Sequence, residues 1–177
     1  MVEDPVLRQR HEFHHPSGDV LVVESWVDPG GGVTPHIHPT QHERFEVLAG
    51  QCTFTVGRDD VVCGAGEVAE VAPGTRHAYR NDGSEQLHMR CEVTPPMTLE
   101  AFLTDVAAMS RAGLITGGGL PKGWRGLLAG SVLLRSYRDM AVLEMPPLFV
   151  QRLGDLLAPL GERRGFVPGR FAEALGV

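Results

Sequence analysis

Four side chains that can bind a metal ion lie in two clusters in the first half of the sequence. His36, His38 and Glu43 form the first cluster, and His77 follows further along the chain. Neutral imidazole nitrogens and a carboxylate oxygen together suit a borderline divalent transition ion. The set predicts one bound ion and leaves Fe, Mn, Ni, Co and Zn open, because each of these accepts such ligands.

Strand geometry explains how the first cluster can reach one centre. Successive side chains of a strand point to opposite faces, so His36 and His38 share a face. Pro39 and the polar residues up to His42 should interrupt the strand, which allows Glu43 to rejoin that face on the next strand. The same alternation places His42 on the surface, away from the ion.

The residues after Glu43 predict an apolar surface around its carboxylate. If Ala49-Gly50 is a two-residue hairpin loop, Phe45 faces Phe54 on the side of the carboxylate. A buried unpaired charge is very costly, and a metal ion would supply the missing partner. The pattern predicts a small-molecule pocket. Its predicted wall consists of Phe45, Val47, Phe54, Val56, Tyr79 and Met89.

Two inward residues are candidates for proton transfer. Glu43 could leave the ion and act as a base, because the inward faces that the pattern assigns offer no second carboxylate. Tyr79 could position the substrate or donate a proton. Its alternative is a barrel-wall tyrosine whose hydroxyl is already satisfied.

The spacing of these residues resembles the two motifs of the cupin superfamily. Gly30-x5-His36-x-His38-x4-Glu43-x6-Gly50 is similar to the first motif, and Gly66-x7-Gly74-x2-His77-x3-Asn81 is similar to the second. Where the family has a proline two residues before the internal glycine, this chain has Ala72, and Pro73 takes the next position. The turn is expected to persist in spite of this departure.

The resemblance spans roughly residues 18 to 97 and implies an all-β double-stranded β-helix. This cupin jelly-roll barrel would be of the single-domain, conserved-barrel (type-2) kind, with the metal inside. Similar barrels include dioxygenases, decarboxylases, isomerases, polyketide cyclases and the sensor domains of regulators, so the fold does not select the reaction.

The chain divides into a barrel with an N-terminal arm over residues 1–97 and a helical extension over residues 98–177. We expect His11, His14 and His15 to lie on a solvated arm without function. Helical spacing predicts one helix between Thr98 and Gly113 and a second over residues 124–137. A third should open at Pro146-Pro147 and carry Leu148, Leu153, Leu156, Leu157 and Leu160.

The extension is expected to pack on the outer wall of the barrel. Val20 and Val22 alternate with Leu21 and Val23, so the first strand is predicted to be buried on both faces. One face would look into the barrel and the other would lie under the helices. The same helices could complete a homodimer.

Composition indicates which kinds of binding partner and which cell compartment to expect. The 177 residues carry a formal net charge of -6 and show no basic run, which argues against nucleic acid. An odd number of cysteines without a Cys-x-x-Cys pair, and no apolar N-terminal segment, favour a reducing cytoplasm. Charged residues interrupt the most apolar stretch, so no membrane span is expected.

These features predict a metal-dependent enzyme that acts on a small, largely apolar organic molecule. Oxidation of a flavonol-like or other enolic substrate by dioxygen is the first hypothesis. Polyketide-cyclase-like or isomerase chemistry is the alternative reaction. A noncatalytic small-molecule binding module is the alternative from another class of protein.

Overall fold

The computed structural model describes residues 1–16, 18–143 and 147–177, which contain two antiparallel sheets and a helical C-terminal region. The first sheet consists, in spatial order, of β1 (Val2–Asp4), β2 (Gln9–His14), β3 (Leu21–Val27), β10 (Leu87–Thr94), β5 (His42–Ala49) and β8 (Val68–Val71). The second consists of β11 (Val142–Leu143), β4 (Gly32–Ile37), β9 (Arg76–Arg80), β6 (Gln51–Val56) and β7 (Asp59–Gly64). The strands form the jelly-roll barrel that the sequence predicts.

Alternation along the strands determines which side chains face the interior. β3 and β10 bury every second residue, as a strand with one face on the core must. Their register pairs Met89 with Ser25 and Cys91 with Val23, so these four side chains lie side by side on the inner face. The period-two pattern of the sequence is therefore confirmed here.

The turn at Ala49-Gly50 joins the two sheets and is not the loop of a paired hairpin. β5 pairs with β10 and β8, whereas β6 pairs with β7 and β9, so the expected β5–β6 register is wrong. Gly50 has a φ of 79°, and a side chain there would meet the Gln86 carbonyl oxygen at 2.8 Å. Phe45 and Phe54 still meet across the interior, with ring centroids 5.1 Å apart. Local turn chemistry specifies the reversal but not which sheet the chain then enters.

The N-terminal residues form strands of the first sheet, which corrects the expectation of a solvated arm. β2 pairs with β3 so that Gln9 opposes Val27 and His11 opposes Ser25. His11 is only 3% exposed, whereas His14 and His15 are exposed as expected. The arm is thus part of the barrel wall.

The C-terminal region is helical, as predicted, but its last helices are shorter than expected. It contains α1 (Leu99–Arg111), α2 (Gly123–Ser136), α3 (Leu148–Gly154), α4 (Ala158–Arg163) and α5 (Phe171–Leu175). α1 ends before Gly113, which has a φ of 67°, although the Thr98 side chain makes no capping hydrogen bond. The single leucine-rich helix expected after the prolines is divided into α3 and α4, and Pro146 lies outside the described residues. Within the described ranges, no helix has the length and apolarity that a membrane span requires.

α1 and α2 pack across the barrel interior and not on its outer wall, which corrects the expected location of the extension. Their side chains line the same cavity as inward residues of the strands. Val20 and Val22 are only half-buried. The outer face of β3 also carries Glu24 and Trp26, so it offers less continuous apolar surface than the open end of the barrel.

Candidate metal centre and its cavity

β4 and the residue after it supply two of the imidazoles. His36 lies opposite His77 of β9 in the register of the two strands, and the ring centroids of these residues are 4.2 Å apart. His38 follows β4, and its ring centroid lies 4.8 Å from that of His36. Leu143 of β11 pairs with His36 from the other side, so the extension adds a strand at the edge that bears these side chains.

A tight turn delivers His77 to the cluster. The Thr75 amide donates to the Ala72 carbonyl at 3.1 Å, and Gly74 has a φ of 78°. This is the turn that was expected to persist although Ala72 stands where the motif has proline. The Gly74 amide also donates to the His38 carbonyl at 2.8 Å, which joins the turn to the other cluster.

Glu43 is the first buried residue of β5. Its Oε1 lies 3.7 Å from Nε2 of His38, and its Oε2 lies 2.8 Å from Nε2 of His77. The break before β5 is held by Gln41, whose side-chain amide donates to the Pro95 carbonyl at 3.0 Å and to the adjacent carbonyl at 3.1 Å. The interruption therefore turns Glu43 inward, as the sequence predicts.

Backbone carbonyls orient all three imidazoles. Nδ1 of His36 lies 2.9 Å from the Thr34 carbonyl oxygen, and Nδ1 of His77 lies 2.9 Å from that of Thr75. Nδ1 of His38 lies 2.8 Å from the carbonyl oxygen of Met140. Because a carbonyl oxygen can only accept, each Nδ1 must carry the proton, and each neutral ring keeps a lone pair on Nε2.

The donor set suits a divalent cation. One ligand atom from each of His36, His38 and His77 lies within 4.8 Å of the others. Nε2 of His77 and Oε2 of Glu43 are both buried without a hydrogen-bonding partner, although they lie 2.8 Å apart. Two lone pairs at this distance require a cation between them, either a proton or a metal ion. Three imidazoles and a carboxylate are ligands that a first-row transition ion accepts.

The pKa values of the cluster also favour a bound cation. Burial, reinforced by His77 and His38, lowers the pKa of His36 to about 3. Burial also lowers the pKa of His38. Burial opposes both charges of the His77–Glu43 pair, but their contact outweighs it, so the pKa of His77 is raised and that of Glu43 is lowered. The site thus favours one cation beside the carboxylate and keeps the other rings neutral.

A largely apolar cavity of about 160 Å³ borders this cluster. Strands of both sheets form one side, and α1, α2 and the segment between them form the other. Among the described residues, no lysine or arginine lines it. The polar wall residues outside the cluster are Asp4, Gln9, His11, Ser25, Thr34 and Tyr79.

Half of the expected pocket wall borders the cavity, namely Phe45, Tyr79 and Met89. Val47, Phe54 and Val56 do not line it, which corrects the expectation for these three. Val47 and Phe54 are 0% and 1% exposed, because the short turn between β5 and β6 brings the two sheets together there and the side chains fill the space. Val56 is half-buried.

Tyr79 lines the cavity with its hydroxyl already paired. The hydroxyl donates to Oε1 of Gln9 at 2.9 Å, and both side chains are buried. Burial raises the pKa of Tyr79 well above its ordinary value. The satisfied hydroxyl favours the role of a barrel-wall tyrosine over that of a proton donor.

Sequence reasoning missed several residues of this cavity. Asp4 is a second buried carboxylate in its wall, although none was expected there. Gln9, His11 and Phe13 alternate with Arg10, Glu12 and His14, and this signal of a short strand was available. The Met140 carbonyl and the inner faces of α1 and α2 had no local signal, because they reach the site only through long-range packing.

The comparisons with known proteins concern the barrel. Residues 23–93 match the family model described as Cupin domain. A solved structure of a conserved protein with a double-stranded β-helix domain from Klebsiella pneumoniae subsp. pneumoniae MGH 78578 is 24% identical, with a TM-score of 0.47, over 51% of this chain and 79% of that chain. An RmlC-like cupin from Shewanella frigidimarina NCIMB 400 is 18% identical, with a TM-score of 0.49, over 55% and 85% of the two chains. KdgF from Halomonas sp. is 16% identical, with a TM-score of 0.48, over 52% and 84%.

No curated protein matches the sequence. The fold and the matched segment define a double-stranded β-helix protein with an α-helical C-terminal extension. The match to the Cupin domain model covers residues 23–93, and the helical extension lies outside it.

Proposed function

We propose that this protein is a metal-dependent enzyme that acts on a small, uncharged and largely apolar organic molecule. The observation that supports this proposal is that three imidazoles and the Glu43 carboxylate converge at the wall of an apolar cavity. His36, His38, Glu43 and His77 would hold the ion. A divalent ion with four protein ligands keeps positions open and supplies Lewis-acid or dioxygen chemistry there.

The cavity narrows the class of substrate. A cavity of about 150 Å³ lined by apolar side chains takes up benzene, so a volume of about 160 Å³ suits a molecule of about one ring. This size favours a one-ring enolic compound over a flavonol. Without a lysine or arginine among the described wall residues, a phosphate or second carboxylate would lack a partner, which favours an uncharged body.

Two carboxylates compete for the role of general base. Glu43 belongs to the ligand cluster, whereas Oδ1 of Asp4 accepts hydrogen bonds from the amides of Val6 and Leu7 and from the Ser110 hydroxyl. Those contacts tie β1 to α1 and leave Asp4 little freedom to move. We therefore assign proton abstraction to Glu43 and a structural role to Asp4.

The experiment begins with elemental analysis of protein purified without added metal. The protein would then be loaded with each candidate ion and incubated with one-ring enolic compounds, with and without dioxygen. Turnover that requires both metal and dioxygen supports the oxidase or dioxygenase reaction. Metal-dependent turnover without dioxygen favours cyclase-like or isomerase chemistry, and metal-dependent binding without turnover favours a noncatalytic binding module.

Isosteric variants test the base. Glu43→Gln, at equal metal content, should lower turnover by roughly two orders of magnitude or more, the usual contribution of a positioned base. Asp4→Asn keeps the acceptor oxygen of the structural contacts and should retain most of the activity. Unchanged turnover in Glu43→Gln would remove Glu43 from the mechanism.

A further inference from the structure

We infer that His11, supported by Ser25, is a second ligand-binding position in the cavity and hydrogen-bonds an uncharged hydroxyl or carbonyl group of the bound molecule. The inference rests on the proposed function, because it concerns the same cavity and the same ligand. His11 would be a polar contact apart from the metal ligands, and it would determine which molecules the cavity prefers.

The position of His11 is unusual for a core residue. It is 3% exposed and lies on the wall of the cavity that borders the ligand cluster. Nδ1 lies 2.8 Å from the Ser25 hydroxyl, its cross-strand neighbour. Among the described residues, the hydrogen bond of the His11 ring is the one at Nδ1, so Nε2 has no protein partner. Polar atoms inside an apolar wall are normally paired, so this nitrogen is available to a ligand.

Packing against the surrounding residues does not explain why a histidine stands at position 11. The register continues from His11 and Ser25 to Met89 and then to Val47, so the next two strands carry apolar side chains at the same level. An apolar residue on β2 would continue this row without leaving a ring nitrogen unpaired. A purely structural pair would need only Nδ1.

The chemistry of the pair selects neutral partners. Burial lowers the pKa of His11 to about 4, so the ring is uncharged at neutral pH and does not attract an anion. The serine hydroxyl can donate to Nδ1 or accept from it, so Nε2 can correspondingly donate or accept. The Tyr79 hydroxyl is already paired with Oε1 of Gln9 at 2.9 Å.

The expected ligand is a molecule with two polar ends. One end binds at the metal cluster, an apolar body of about one ring fills the cavity, and a hydroxyl or carbonyl reaches His11. A ligand with the first end but an apolar second end leaves Nε2 unpaired and should bind more weakly.

The test compares kojic acid with allomaltol, two hydroxypyranones that chelate metals identically and differ only by a hydroxymethyl group in place of a methyl group. Their dissociation constants would be measured by calorimetry on cobalt-loaded protein. Wild-type protein should bind kojic acid roughly three- to tenfold more tightly, as one added hydrogen bond implies. His11→Phe should abolish this preference, because it removes the hydrogen bond to the hydroxymethyl group; the added ring volume affects both compounds alike.

His14→Phe makes the same substitution at an exposed position of β2 and should keep the preference. If His11→Phe does not fold, Ser25→Ala should reduce the preference. The visible spectrum of bound cobalt checks that the ligand cluster is unchanged in each variant.

Equal affinity of the two compounds for wild-type protein, or a preference that survives in His11→Phe, would overturn the role of His11 and leave the proposed function intact. Failure of both compounds to bind, or binding that does not require the metal, would overturn the proposed function itself.

Discussion

Each imidazole of the ligand cluster is oriented by a carbonyl, but the carbonyls come from different distances along the chain. Thr34 and Thr75 lie two residues before His36 and His77, so these contacts form within their own segments. Met140 lies 102 residues from His38. The orientation of one proposed ligand therefore depends on the folding of the extension.

Removing any of the three imidazoles should weaken metal binding. Each Ala variant of His36, His38 and His77 should lose roughly a hundredfold or more in affinity, since even loss of an orienting neighbour costs about 10- to 100-fold. Competition with a coloured chelator would measure this. His42→Ala removes an exposed imidazole next to Glu43 and should bind metal like the wild type. Wild-type affinity in any of the three variants would contradict the proposed ligand set.

His11 should make the stability of metal-free protein depend on pH. Its ordinary pKa is 6.5 and burial lowers it to about 4, so between these values the unfolded chain binds a proton that the folded chain does not. The free energy of unfolding should therefore fall as pH decreases through this window, by about 3 kcal/mol in all. Stability is fully present above the window.

Urea unfolding at several pH values would check this, with His11→Phe as the test and His14→Phe as the control. The pH slope should shrink by up to about 1.4 kcal/mol per pH unit in His11→Phe only. Identical slopes in wild-type protein and both variants would show that His11 is not buried in the neutral form.

At the scale of elements, helix packing in the extension depends on a close approach between α2 and α4. A side chain at Gly161 of α4 would lie 2.7 Å from the Leu128 carbonyl oxygen and 2.6 Å from Cγ2 of Val132, both on α2. The backbone oxygen cannot move without shifting α2. Close contact of this kind explains why a short helix such as α4 is stable in this position.

Gly161→Ala should therefore lower the free energy of unfolding. The helix propensity of alanine offers about 1 kcal/mol, but overpacking typically costs about 1–3 kcal/mol, and a backbone obstacle favours the upper part of that range. Gly117→Ala, in the segment between α1 and α2, is the control for a methyl group added without a contact, because nothing lies within 4 Å of it. Thermal or urea unfolding measures both variants, and equal stability would show that the helices can separate without cost.

At the scale of the whole molecule, barrel and extension share one cavity. α1 and α2 complete its wall, β11 extends the second sheet beside β4, and the Met140 carbonyl holds His38. The extension is thus part of the proposed site, and its removal should affect metal binding as well as solubility.

A truncation that ends at Pro96 should aggregate or lose oligomeric order, because the apolar wall of the cavity would face water. Any soluble fraction should bind metal more weakly than the full chain. Light scattering and chelator competition are the measurements. A fragment that is soluble, monomeric and as thermally stable as the full chain would show that the extension is an independent module.

The expected homodimer remains a prediction, and α3 suggests where to test it. Phe149 and Leu153 of α3 are 73% and 63% exposed, and their four-residue spacing places them on one side of the helix. Leu156, in the turn after α3, is 76% exposed. Phe149→Glu with Leu153→Glu should convert a dimer into a monomer in light scattering if the helices form the contact. Val62→Glu, at an exposed position of the edge strand β7, should have that effect instead if the sheets pair.

The sequence by itself determined the features that depend on neighbouring residues. The ligand types and their spacing, the inward alternation of β3 and β10, and the turn before His77 all follow from side-chain chemistry and the two-residue period of a strand. Only the tertiary structure decided which strands pair, because a turn such as Ala49-Gly50 fits both a hairpin and a crossing between sheets.

Long-range packing also decided the composition of the cavity. His11 became a wall residue when β2 joined β3, and Met140 became a partner of His38 when the extension crossed the barrel. Contacts over such separations have no periodic signal in the sequence, because they depend on which apolar surfaces remain open after the sheets have formed. The surface left open here was the end of the barrel, and the helices closed it.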